Sequence, residues 1–304
     1  MRVAEVTIDG VTYDMGDGLK SMVMSSEYGF NAAGLTATFD FEAVHGKQPD
    51  VLRRGWRERV KVDAIMVFED GRSENFSGFL DDNTGEDEVF GEDPAELQLS
   101  ARSVLALLID DDGSPDARVT KTFFNADWSE VVRHMVKSRG FKAHRIEPAG
   151  KPFAGERDSA GRYMLVVDDQ LPSEVITQAV SATGFVANTR PDREFYFVRS
   201  VRPPWMIDDE LVFVKQDPES TIASYRYANG RVNRITTRKR LVKIDPGMSV
   251  GLSIQFGRGD YATLSGKYWV SGAEYFANEV PGDNNNYSAF TVAEELPRLK
   301  AEEG

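Results

Sequence analysis

Ser129–Phe141 reads SEVVRHMVKSRGF, and Ser173–Phe185 reads SEVITQAVSATGF, 44 positions later (173 − 129 = 44). Six of the thirteen aligned positions are identical: the Ser-Glu-Val start, Val136 and Val180, and the closing Gly140-Phe141 and Gly184-Phe185. In the first copy Val131, Val132, Met135 and Val136 fall on one helical stripe; in the second, Val175, Ile176, Ala179 and Val180 do the same. Gly140 and Gly184 stand where a helix stops on a residue tolerant of positive φ. Each Phe then opens a new run that reads as a strand. The middle of the chain is therefore expected to hold two related helix-turn-strand units.

The flanks read as β. Val3–Ile8 alternates and turns at Asp9-Gly10. Leu35–Phe41 alternates cleanly, and Val60–Phe68 with Phe76–Leu80 predicts a hairpin. Leu97–Ala101 is a further strand, while Ser103–Ile109 reads equally as a short buried helix or a strand end. Asp110-Asp111-Asp112 followed by Gly113-Ser114-Pro115 marks a boundary. Pro148–Gly161 reads as a loop, and Phe185–Ala187 with Glu194–Val198 as a hairpin. Beyond it, Ile222–Tyr227 and Val232–Thr237 flank Asn229-Gly230, the strongest two-residue hairpin signal in the chain. Val250–Phe256, Tyr268–Phe276 and Tyr287–Val292 alternate again. The expected fold is mainly β with a small α+β middle. Its domains are a first β-barrel over 1–112, the repeated units over 113–200, and a second β-barrel over 201–304.

Composition narrows the function. The 304 residues carry 36 basic and 49 acidic side chains, a formal net charge of −13. Such an acid excess argues against nonspecific nucleic-acid binding, which needs surplus cations to displace phosphate counterions. With no cysteine, disulfides, thiolate nucleophiles and cysteine metal sites are excluded. No signal peptide or membrane-spanning run is expected.

Candidate chemistry is thin. Asp81, Asn83, Asp87 and Glu92 sit at places one, three, seven and twelve of a calcium-loop spacing, but Gly85 is fifth, not sixth, and Val89 is ninth. A solvated acidic loop is the expectation, and no metal or other cofactor is assigned. The histidines are His45, His134 and His144. His134 corresponds to Gln178 in the second copy, which predicts a surface position, and no nucleophile elbow is present. Arg258-Gly259-Asp260 is read as a turn between strands. Positive charge concentrates at Arg231, Arg234, Arg238, Lys239 and Arg240. On a strand Arg234, Arg238 and Arg240 share one face, a possible subunit-interface patch. Trp128, Trp205, Trp269, Tyr268 and Tyr275 are expected in the core or at contacts between domains or subunits. No catalytic residue is assigned.

The order of parts resembles the baseplate hub family of contractile-tailed phages, also called late control protein D. Leu241–Ile254 (LVKIDPGMSVGLSI) is similar to that family's lead-in to its last barrel, and Gly266–Asn278 (GKYWVSGAEYFAN) to its closing strand pair. Asp168–Phe185 (DDQLPSEVITQAVSATGF), followed by FYFV, resembles its central module. The resemblance implies two tail-tube-like barrels per subunit and a structural, non-enzymatic homotrimer. It implies a ring joining the hexameric tail tube to the central spike, with the tape measure protein and then DNA passing through its channel. It places the chain in the virion, at the tail baseplate, after assembly in the host cytoplasm. The steps Ser77-Gly78 and Ser271-Gly272 fit two distant copies of one barrel. A distal-tail adaptor and a β-rich cell-wall or carbohydrate hydrolase are the alternatives.

Overall fold

The computed structural model describes residues 4–27, 30–50, 59–68, 70–81, 96–110, 117–149, 156–189, 193–199, 211–214, 222–228, 231–237, 241–244, 246, 249–255, 263–278 and 286–293. The acidic loop beyond Asp81, the Asn229-Gly230 turn, Arg258-Gly259-Asp260, Arg238, Lys239, Arg240 and Trp205 lie outside these residues. The chain divides into two compact units. One comprises residues 1–28, 33–103 and 206–296; the other comprises 29–32, 104–205 and 297–304. The fold is mainly β, with its few helices concentrated in the middle of the chain.

The first unit begins with β1 (Ala4–Ile8) and β2 (Val11–Asp14), a hairpin over Asp9 and Gly10. Their φ values of 46° and 86° are the left-handed pair that a tight two-residue hairpin demands. Next come β3 (Leu19–Glu27), β4 (Gly34–Asp40), helix α1 (Phe41–Lys47), β5 (Lys61–Val67), β6 (Ser73–Leu80) and β7 (Glu96–Ser103). Asp40 ends β4 and caps α1, its carboxylate accepting the Glu42 N–H at 3.0 Å.

The middle unit opens with α2 (Ala106–Ile109), so the ambiguous apolar run Ser103–Ile109 resolves as a strand end and a short buried helix. It continues through β8 (Val119–Phe124), α3 (Trp128–Ser138), β9 (Lys142–Ile146), β10 (Glu156–Arg157), β11 (Tyr163–Gln170), α4 (Pro172–Thr183), β12 (Val186–Thr189) and β13 (Glu194–Val198). The repeat is longer than its helix: Val119 and Tyr163, Trp128 and Pro172, and Lys142 and Val186 each start an element and stand 44 positions apart. Each copy is thus strand-helix-strand. β8 and β11 pair antiparallel, and β9 and β12 lie on either side of β13. Both helix stops have the expected geometry, with φ of 76° at Gly140 and 68° at Gly184. The predicted stripes are buried, Val131, Val132, Met135 and Val136 in α3 and Val175, Ile176, Ala179 and Val180 in α4.

The chain then returns to the first unit with β14 (Leu211–Val214), β15 (Ile222–Ala228), β16 (Arg231–Thr237), β17 (Ser249–Gln255), β18 (Thr263–Asn278) and β19 (Tyr287–Ala293). Strands from both ends of the chain share a 13-stranded sheet. The two ends also repeat one pattern of neighbours. The first runs β3-β4-β7-β6-β5 and the second β15-β16-β19-β18-β17, antiparallel at every step. Each is a hairpin followed by a three-strand meander whose last strand returns beside the hairpin. The copies differ at the outer strand, where β1 is antiparallel to β5 and β14 is parallel to β17. β18 joins the copies: Gly272–Asn278 pairs with Glu27–Ser21 of β3. One buried cluster spans the junction, taking in Met22, Met24, Leu35 and Phe39 from the N-terminal end and Ile235, Tyr275, Ala277 and Phe290 from the C-terminal end. No described helix is long and apolar enough to cross a membrane.

Candidate interaction surfaces

Alternation on the shared sheet sends one set of side chains into the core and the other set away from it. On the outward side Thr36 lies between Val23 and Ser100, and Thr38 between Ser21 and Gln98. Glu274 lies between Ser25 and Ala289, and Phe276 between Val23 and Tyr287. The Phe276 and Tyr287 rings stack with centroids 5.0 Å apart. This face is built largely of short hydroxyl and amide side chains. It offers hydrogen bonds and shape.

Arg234 on β16 is the described member of the basic trio predicted from sequence. It reaches across β19 to Glu274 on β18, at 3.3 Å, with both side chains partly exposed. The Tyr287 hydroxyl donates to the same Glu274 oxygen at 3.3 Å. Burial, then the Glu274 carboxylate, push the Tyr287 phenol above its ordinary range. Arg234 therefore neutralises a carboxylate of its own sheet.

The three histidines lie on three different elements. His45 stacks on Phe41 within α1. His144 on β9 places Nδ1 at 3.2 Å from Glu194 of β13, with its ring beside Tyr196. His134 on α3 sits edge-on to Phe123, and its Nδ1 is 3.3 Å from Lys121 Nζ. Burial, then the Lys121 ammonium, hold the His134 imidazolium below its usual range. Lys121 escaped the sequence reading because β8 itself did; aligning it with Leu165 in the second copy would have exposed the difference. Among the described residues no group of three or more His, Asp or Glu side chains could hold a metal ion.

No family model matches the chain, and no curated protein matches it in sequence. Similarity emerges in three dimensions. A tail protein from Neisseria meningitidis superposes with a TM-score of 0.63 at 11% identity, covering 96% of each chain. The 43 kDa tail protein of prophage MuSo2 from Shewanella oneidensis gives 0.58 at 12% identity and 98% of each chain. An Escherichia coli type VI secretion component, itself described as structurally similar to T4 bacteriophage tail proteins gp27 and gp5, gives 0.55 at 12% identity. It matches 96% of this chain and 77% of its own. The fold is that of these tail-type proteins.

Proposed function

We propose that this protein is a structural hub of a contractile tail baseplate. Three copies close into a ring that connects the hexameric tail tube to the central spike and leaves a channel for the tape measure protein and DNA. The observation that carries this reading is the doubled strand order in the first unit. Two like sheet motifs per chain, taken three times around an axis, offer six similar positions to a six-fold tube. The likeness to tail proteins along nearly the whole chain supports the same reading. In it, each end of the chain supplies one tube-like barrel and the repeated units stand between them in sequence. The work is done by contact surface, and the basic residues Arg234, Arg238 and Arg240 meet a ring neighbour.

Mass photometry and negative-stain imaging of the purified chain test this. A three-copy annulus with an axial opening is expected. A six-copy ring would favour a distal-tail adaptor, and a persistent monomer would remove the hub reading. Clearing of cell-wall material in a zymogram would replace it with the hydrolase.

A further inference from the structure

The middle unit contains its own control experiment. The same strand-helix-strand is built twice, so a feature present in only one copy is not required by that fold. The apolar stripes agree between copies, and so does the acidic first turn, Glu130 in α3 and Glu174 in α4. The outward positions do not. Where the first copy has Lys121, Arg133, His134 and Lys137, the second has Leu165, Thr177, Gln178 and Ser181.

Charge follows the same division. Residues 117–147 carry seven basic and three acidic side chains, a net of +4, and the equivalent 161–191 carry two and three, a net of −1. With the whole chain at −13, everything outside the first copy sums to −17 (−13 − 4). Arg118 and Arg145 have carboxylate partners and Arg139 donates to the Leu107 carbonyl; Lys121, Arg133 and Lys137 remain for the outer surface. Lys121 and Lys137 are exposed and Arg133 is half-buried, on the face of α3 opposite its buried stripe. Among the described residues no carboxylate forms a salt bridge with any of the three. Lys121 instead packs against His134, whose protonation is opposed first by burial and then by the Lys121 ammonium.

We infer that the outward face of α3, with Lys121 of β8, docks on the acidic exterior of a second copy of this chain. This rests on the ring reading above and names one of its contacts. The occupant follows from charge complementarity: a neighbouring subunit carries its −17 outside the basic unit, so a head-to-tail arrangement sets this patch against it. The contact is heterologous and can repeat around a closed ring. It is steered by charge and weakens as salt screens it.

The test uses the full chain carrying K121E, R133E and K137E together, with T177E and S181E as a control for added negative charge at the equivalent helix positions of the second copy. Circular dichroism and thermal melts establish that both fold, and mass photometry across concentration, at low and physiological salt, reads assembly. The first-copy reversal is expected to raise the concentration for half-assembly by about tenfold or more, with little change in the control. A milder R133Q/K137Q variant should fall between. If wild type forms the ring and the triple reversal assembles equally well at both salts, this inference fails and the hub reading stands. If wild type forms no ring, the hub reading fails and takes the inference with it. Normal assembly of the triple variant with lost retention on heparin would assign the patch to a polyanion and overturn docking on a second copy.

Discussion

The rings of Tyr275 on β18 and Phe68 at the end of β5 meet edge to face, with centroids 4.9 Å apart at 81°. The two residues come from opposite ends of the chain, and both are fully buried. The Tyr275 hydroxyl also donates to the Ile244 carbonyl at 2.9 Å. The contact locks the second sheet motif onto the core of the first.

Tyr275→Phe keeps the ring and leaves the Ile244 carbonyl short of a donor, so it should cost about 1 kcal/mol. Tyr275→Ala also removes the ring and should cost about 3–5 kcal/mol. Urea melts measure both. Because one core serves both ends, each variant should lower a single transition of the first unit; separate loss of the C-terminal strands would count against a shared core.

The two Ser-Gly steps should respond differently to a methyl group. A Cβ at Gly78 would overlap the Arg102 carbonyl oxygen and press on the Phe76 ring, and backbone cannot give way there. Gly78→Ala should cost about 2 kcal/mol. At Gly272 the nearest neighbour would be Thr291, at 3.6 Å, an ordinary contact. Gly272→Ala should stay within about 0.5 kcal/mol of wild type in the same melts. Equal effects would restore the equivalence suggested by sequence.

Tyr13 is fully buried, its ring against Phe39 and its hydroxyl donating to Gln48 at 3.1 Å. Burial first, and Asp17 second, push its phenol up to about 12. The native state prefers the neutral phenol. Its contribution is whole below the unfolded value of about 10 and is lost as pH rises through about 12. Stability measured from pH 9 to 12.5 should fall more steeply for wild type than for Tyr13→Phe. Parallel curves would show that Tyr13 does not govern the alkaline limb.

If the Arg234, Arg238 and Arg240 face meets a ring neighbour, R238E/R240E should weaken assembly, most clearly at low salt. Arg234→Ala should also strand Glu274 beside Tyr287 and change stability by less than about 1 kcal/mol, since both partners are partly exposed. Unchanged assembly of R238E/R240E at physiological salt would remove that face from the interface.

Local patterns were legible wherever neighbours in sequence are neighbours in space. The helices around Val131–Val136 and Val175–Val180 follow from apolar spacing, and their ends from Gly140 and Gly184. The β5-β6 and β17-β18 hairpins follow from alternation on either side of a turn. β8 and β11 were missed because their exposed face itself carries apolar side chains: Phe124 and Val166 are exposed beside buried Phe123 and Val167, which erases the alternation. Without those strands, Lys121 could not be placed beside His134. The carboxylate that pairs with Arg234 could not be picked out in sequence, because Glu274 lies 40 positions away.

The amino-acid sequence by itself determined the β-rich ends, the repeated middle, the absence of cysteine chemistry and the acidic balance, since each depends on composition or on spacing within one element. Only the tertiary structure decided that the two ends share a sheet and a core, and that they repeat one strand order. Pairing β18 with β3 brings together segments separated by most of the chain, through backbone hydrogen bonds that leave no periodic trace in either strand. The register that sets Glu274 opposite Ser25 emerges from the packed sheet as a whole.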